Sequence, residues 1–122
     1  MPSVKLPFPP SCNSYWRHSR GMHFLSAAGK AYRTDVMAAI LSIGWNRRMQ
    51  GRLSVEVYAV MPDRRKRDLD NLHKGLLDSL TAAGVWEDDG QIDRLLIQRG
   101  EVDPPGYVIV SIESLTPNPE SE

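Results

Sequence analysis

A single cysteine, Cys12, has nothing to pair with inside the chain, so no intramolecular disulfide is available and a reducing compartment is the natural setting. A cysteine-based zinc site is excluded with it, and the three histidines, at 18, 23 and 73, have no spacing that suggests one. No apolar run reaches the length of a membrane span, and the N-terminus lacks the charged-then-apolar layout of a signal peptide. A cytoplasmic protein without a membrane partner is expected. Internal repeats are absent too. Net charge is missing as well, with 15 Lys and Arg against 15 Asp and Glu, but the balance hides a segregation. Residues 1–67 carry 12 positive and 3 negative side chains, and residues 68–122 carry 3 and 12, the sign switching at the Arg67–Asp68 bond. A polyanion can bind the basic part while metal ions neutralise an acidic pocket, unless folding mixes the two signs over the surface.

What is present describes one globular domain. A length of 122 residues suits a single modest core, and 41% hydrophobic with 25% charged residues is ordinary. Val4–Leu6 reads as a short strand closed by Pro7, Pro9 and Pro10. Residues 11–25 read as a polar loop in which Tyr15, Trp16, Arg17, His18 and Arg20 either stack on bases and grip phosphates or tuck back onto the core. Ser26 is a candidate N-cap for a helix over 27–42, with Ala28, Ala31, Tyr32, Val36, Ala39, Ile40 and Ile43 as its stripe and Gly44 as its stop. The alternation of Leu53, Val55, Val57 and Ala59 predicts a half-buried strand. A second helix is expected from Asn71 to Ala83, capped by Asp70 and ended by Gly84. Ile92–Gln98 and Tyr107–Ile112 read as further strands with Pro104-Pro105-Gly106 as the turn between them. The order β, α, β, α, β, β predicts a small α/β (α+β) domain over residues 1–115: a mixed or antiparallel four-stranded sheet with two main helices. Residues 116–122 are expected to form a disordered tail.

The chemistry concentrates in RRKRDLDNLHK at 64–74 and WEDDGQ at 86–91. In chain entering a helix, residues two apart project to one side, so Asp68 and Asp70 stand together with Leu69 anchored between them. Paired carboxylates repel unless a cation lies between them, which invites Mg²⁺; the plainer alternative makes Asp70 a helix cap and Asp68 a partner of the preceding arginines. Lys74, one turn beyond Asp70, either stabilises charge on a phosphate or forms an ordinary i,i+4 pair. Asn71 is placed to orient a carboxylate or a metal water, and Asp78 reads as a solvated helix residue. Residues 86–91 are either a solvated turn or a second source of ligands. Arg64, Arg65, Lys66 and Arg67 are either a flexible run or phosphate contacts.

These two stretches, together with PFPPSCNSYWRHSRG and SAAGKAYR, resemble the RusA family of Holliday-junction resolvases over roughly residues 4–113. The resemblance implies a homodimer, of bacterial or prophage origin, with Mg²⁺-dependent endonuclease activity on four-way DNA junctions. By position it implies Asp68, Asp70 and Asp89 as acids binding one or two Mg²⁺, Lys74 as the catalytic lysine, and Asp88 as a neighbour in support. It implies DNA contacts from Arg64–Arg67 and fits a DNA-facing loop that includes Asn13, Tyr15, Trp16, Arg17 and Arg20. The expected reaction makes paired symmetric nicks with 5′-phosphate and 3′-hydroxyl ends. A nuclease for flaps or forks would use the same residues, whereas a DNA-binding protein without catalysis would need the cations and not the acids.

Overall fold

A computed structural model describes residues 2–115, so the tail expected at 116–122 lies outside the described residues. Its elements are β1 (Ser3–Pro7), α1 (Cys12–Tyr15), β2 (Trp16–Ser19), β3 (Met22–Leu25), α2 (Ala27–Ile43), β4 (Leu53–Met61), α3 (His73–Ala82), β5 (Ile92–Val102) and β6 (Tyr107–Ser114). Four strands form a mixed sheet in the order β1-β6-β4-β5, and β2 with β3 forms a separate hairpin. β1 and β4 both pair antiparallel to β6, and β4 pairs parallel to β5.

Sheet register explains the core. Val4, Val110, Val57 and Ile97 lie in one row across all four strands, and Leu6, Val108 and Ala59 form the next inward row. Both rows pack with Val36 and Ile40 of α2 and Leu76 and Leu80 of α3. Each such aliphatic side chain contributes roughly 1.5–3 kcal/mol on full burial. α2 begins at the predicted cap, where Ser26 Oγ accepts from the Gly29 N–H, and ends at Gly44 with φ 72°. Its buried stripe is Gly29, Tyr32, Val36 and Ile40, while Ala28, Ala31 and Ile43 are exposed.

Pro104-Pro105-Gly106 does reverse the chain, but β5 and β6 are not neighbours, because β4 lies between them. β5 runs parallel to β4, and the chain then passes over the end of β4 to return on its other side. The Asp103 N–H donates to the Met61 carbonyl there. Gly106 (φ 82°) crosses so closely that a Cβ would stand 2.8 Å from Pro62 N and 2.9 Å from Val60 O. Residues 11–25 are more ordered than a loop: α1 leads into the hairpin, which turns at Arg20 and Gly21, both with positive φ. Among the described residues no helix is long and apolar enough to cross a membrane.

Candidate active site

β4, α3 and β5 form a parallel βαβ unit, and residues 62–72 cross its open end between β4 and α3. The crossing begins with a local lock. Asp63 accepts from the Arg65 backbone N–H at 2.8 Å and pairs through both carboxylate oxygens with Arg67. Hydrogen bonding to Arg67, then to the Arg65 backbone, holds the Asp63 carboxyl at about 2. Arg67 also lies over the Phe8 ring, and its carbonyl accepts from Arg99 at 2.6 Å. It therefore serves as a structural tie, whereas Arg64, Arg65 and Lys66 are exposed and their side chains have no hydrogen-bond or ion-pair partner among the described residues.

Asp68 follows in extended conformation (φ −82°, ψ 132°), and Leu69–Asn71 form a single 3₁₀ turn with Asp70 inside it. The residue before α3 is Leu72, with no side-chain cap. The expected capping role of Asp70 is thus overturned: the chain is already helical at 72, and no side chain closes the helix start. Neither Asp68, Asp70 nor Asp89 makes a side-chain hydrogen bond or ion pair among the described residues. By contrast Asp63, Asp78, Asp93, Glu56 and Glu87 are each held by an arginine.

Two clefts flank this segment. The first, about 600 Å³, lies between Phe8–Ser11, Asn13 and Ser14 on one side and Arg65–Asp68, Asn71 and Leu72 on the other. The second, about 490 Å³, brings Lys74 and Asp89 together with Trp16, His73, Leu77, Asp78, Ile92 and Leu95. Asp70 lines neither. Asp89 thus lies beside Lys74, while Asp68 lines the other cleft. Among the described residues no three His, Cys, Asp or Glu side chains stand close enough to hold a metal ion. As a donor set the three carboxylates are the hard oxygen ligands a divalent cation takes, and none is committed elsewhere.

The expectation that Tyr15 faces DNA fails. It is fully buried, and its hydroxyl donates to Asp78 at 2.5 Å and lies 2.9 Å from Ser79 Oγ. Burial first, and the Asp78 carboxylate second, push its phenol above the ordinary range. Its ring packs on Gly75, where a Cβ would come within 2.7 Å. Asp78 is not a solvated residue either, for Arg33 holds it at 2.6 Å. Lys74 makes no ion pair among the described residues, so the alternative of an ordinary i,i+4 pair with Asp70 is not formed. Trp16 is half-buried with its ring edge-on to Tyr15, and Arg17 and Arg20 are exposed on the hairpin.

The 86–91 loop is less solvated than it reads. Trp86 is fully buried, and its Nε1 donates to Thr81 at 2.6 Å. Sequence reasoning assigned Gln91 no role, yet its Oε1 accepts from the Glu87 and Asp88 backbone N–H groups. Its Nε2 donates to the Met49 and Gly51 carbonyls. A glutamine three residues after an aspartate was the available signal. Asp88 is exposed, and its Oδ2 occupies the space a Cβ on Gly90 would need, 2.7 Å away.

Cations beside uncommitted carboxylates and an unpaired lysine, at the open end of a βαβ unit, are the equipment of a nuclease. The comparison with protein families narrows the class, because the model for Endodeoxyribonuclease RusA matches residues 7–113. A protein of Enterobacteria phage HK97 named crossover junction endodeoxyribonuclease rusA is 44% identical over 110 residues, covering 90% of this chain and 92% of the phage protein. The Escherichia coli protein named crossover junction endodeoxyribonuclease RusA is 46% identical over 90 residues, 74% of this chain and 75% of its own length. The similarly named protein of Enterobacteria phage 82 is 45% identical over 89 residues, 73% and 74% of the two chains. This chain belongs to the RusA endodeoxyribonuclease family.

Proposed function

We propose that this chain is a crossover junction endodeoxyribonuclease. It binds four-way DNA as a homodimer in the cytoplasm and hydrolyses one phosphodiester per subunit, leaving 5′-phosphate and 3′-hydroxyl ends. Residues 1–115 form the nuclease unit. The observation that carries the reading is that Lys74 and Asp89 share a cleft and, like Asp68 and Asp70, make no side-chain hydrogen bond or ion pair among the described residues, while Asp63, Asp78 and Asp93 are each held by an arginine.

Asp68, Asp70 and Asp89 hold the divalent cation the family requires, and Mg²⁺ is the ion their hard oxygens suit, one or two per site. When bound, it supplies Lewis-acid activation of water and phosphate. Lys74 presents its ammonium to the negative charge that builds on the phosphate during attack. Arg64, Arg65 and Lys66 grip the backbone, with Asn13 and Asn71 across the same cleft and Trp16, Arg17 and Arg20 along the hairpin. Two observations support a dimer. The acids do not converge within one subunit, and the outer edge of β5 is unpaired in the described chain, with Leu95 and Leu96 exposed. Two-fold symmetry would also place one site on each of two opposite strands.

Cleavage of a synthetic four-way junction with Mg²⁺ tests the proposal, comparing the natural protein with Asp70→Asn. Symmetric nicks that disappear in the variant, with junction binding retained in Ca²⁺, are expected. Equal cutting by both proteins would remove Asp70 from the site. Binding without cutting by either would leave a DNA-binding protein, and flaps or forks cut in preference would reassign the substrate.

A further inference from the structure

We infer that His73 is a working part of the active-site cleft, with its Nε2–H placed to donate to an oxygen of the phosphodiester being cut. The inference rests on the reading of Lys74 and Asp89 as active-site groups. His73 opens α3, adjoins Lys74 and lines the same cleft as Lys74, Asp89 and Trp16. Its Nδ1 is sealed from solvent and has no hydrogen-bond partner, the one buried side-chain polar atom of that kind among the described residues. A neutral imidazole has one donor and one acceptor nitrogen. An orphaned buried N–H is rarer and worse tolerated than an under-satisfied acceptor, so hydrogen-bond accounting assigns the hydrogen to Nε2 and leaves the Nδ1 lone pair inward. His73 as a residue is partly exposed and lines the cleft, and with Nδ1 sealed from solvent, Nε2 is the ring's other polar atom.

Packing alone does not explain a histidine here. The cleft mixes the apolar Trp16, Leu77, Ile92 and Leu95 with Lys74 and Asp89, and packing against the apolar part alone would not call for a ring that leaves a polar atom unpaired. Such costs persist where the group does something besides pack. Phosphate oxygens are acceptors only, and Lys74 is a flexible point charge. A donor fixed at the start of a helix adds the direction that the lysine lacks.

The test uses three substitutions in the full chain. His73→Gln carries an amide nitrogen near the position of Nε2, His73→Asn carries one near Nδ1, and His73→Leu carries neither. At saturating protein with Mg²⁺, single-turnover cutting of a four-way junction should fall about tenfold or more in the Leu and Asn variants and stay within about threefold in the Gln variant. Junction affinity in Ca²⁺ should change little in all three, and His73→Leu should melt no lower than the natural protein. Full-rate cutting by His73→Leu overturns the inference, and so does a loss shared by the Gln variant or one that follows melting temperature. Lys74→Met, run alongside, separates the two readings. If it cuts normally, the active-site reading of the cleft fails; if it is inactive while His73→Leu cuts normally, only the role of His73 fails.

Discussion

The cleft beside Arg65–Asp68 and the cleft beside Lys74 and Asp89 are fed by one stretch of chain, residues 64–74, yet they are built on different physics. In the first, Arg65 and Lys66 are long and solvated and face a proline-rich wall; under the proposed function their hold on a phosphate would be electrostatic and screened by salt. In the second, apolar side chains surround the charged ones, and the helix beneath is pinned by Tyr15 against Gly75, with Arg33 gripping Asp78. Under the proposed function, the grip of Arg65 and Lys66 is therefore separable from the chemistry of Lys74, although Asp68 stands in the first cleft beside the cations. Removing the Arg65 and Lys66 charges would weaken the grip while leaving intact the packing of Tyr15, Gly75 and Asp78 that holds the helix of Lys74.

The sharpest way to break that contrast is Lys74→Met. Cutting at saturating protein should fall by roughly 10²-fold or more, while junction affinity measured in Ca²⁺ changes little. A variant that instead binds weakly and cuts normally once bound would place Lys74 with the gripping cations. The reverse effect, smaller in size, belongs to Arg65→Ala combined with Lys66→Ala. Loss of two phosphate contacts should flatten the plot of log affinity against log salt by about two. The saturated cutting rate should stay the same, and an unchanged slope would mean that these side chains do not touch the backbone.

The smallest effect concerns the lock that leads into the basic cleft. Asp63 is held at about 2 by Arg67, below its unfolded value, so its contribution to stability is fully present above the ordinary carboxylate range and is lost as pH falls through 2. Urea midpoints of the natural protein and Asp63→Asn should differ by a constant amount from pH 7 to about 5 and converge on approaching pH 2. A difference that grows on acidification contradicts the pairing.

Local signals were legible in the sequence to the extent that they were local. Ser26 and Gly44 bound α2 because a cap and a left-handed glycine act within a few residues of themselves. Pro104-Pro105-Gly106 announces a reversal, yet nothing near it says that the returning strand will lie across β4 from the strand it leaves. Neighbours in a sheet are decided by contacts distant in sequence. The same limit applies at the site. Spacing placed Asp68, Asp70 and Lys74 on one segment, but nothing in it says that Asp89 shares a cleft with Lys74 while Asp68 lines the other. Tyr15 was misjudged because an aromatic among arginines looks the same in sequence whether it faces DNA or Gly75.

The first strand has its partner at the far end of the chain. β1 pairs only with β6, Ser3 facing Ser111 and Pro7 facing Tyr107, and β6 also supplies the second flank of β4. During synthesis, residues 3–7 therefore wait without a ladder until β6, about a hundred residues later, has been made, and the core rows that run through Val108, Val110 and Ile112 cannot close earlier. Closure of the sheet beneath the site therefore waits on β6, the last strand among the described residues.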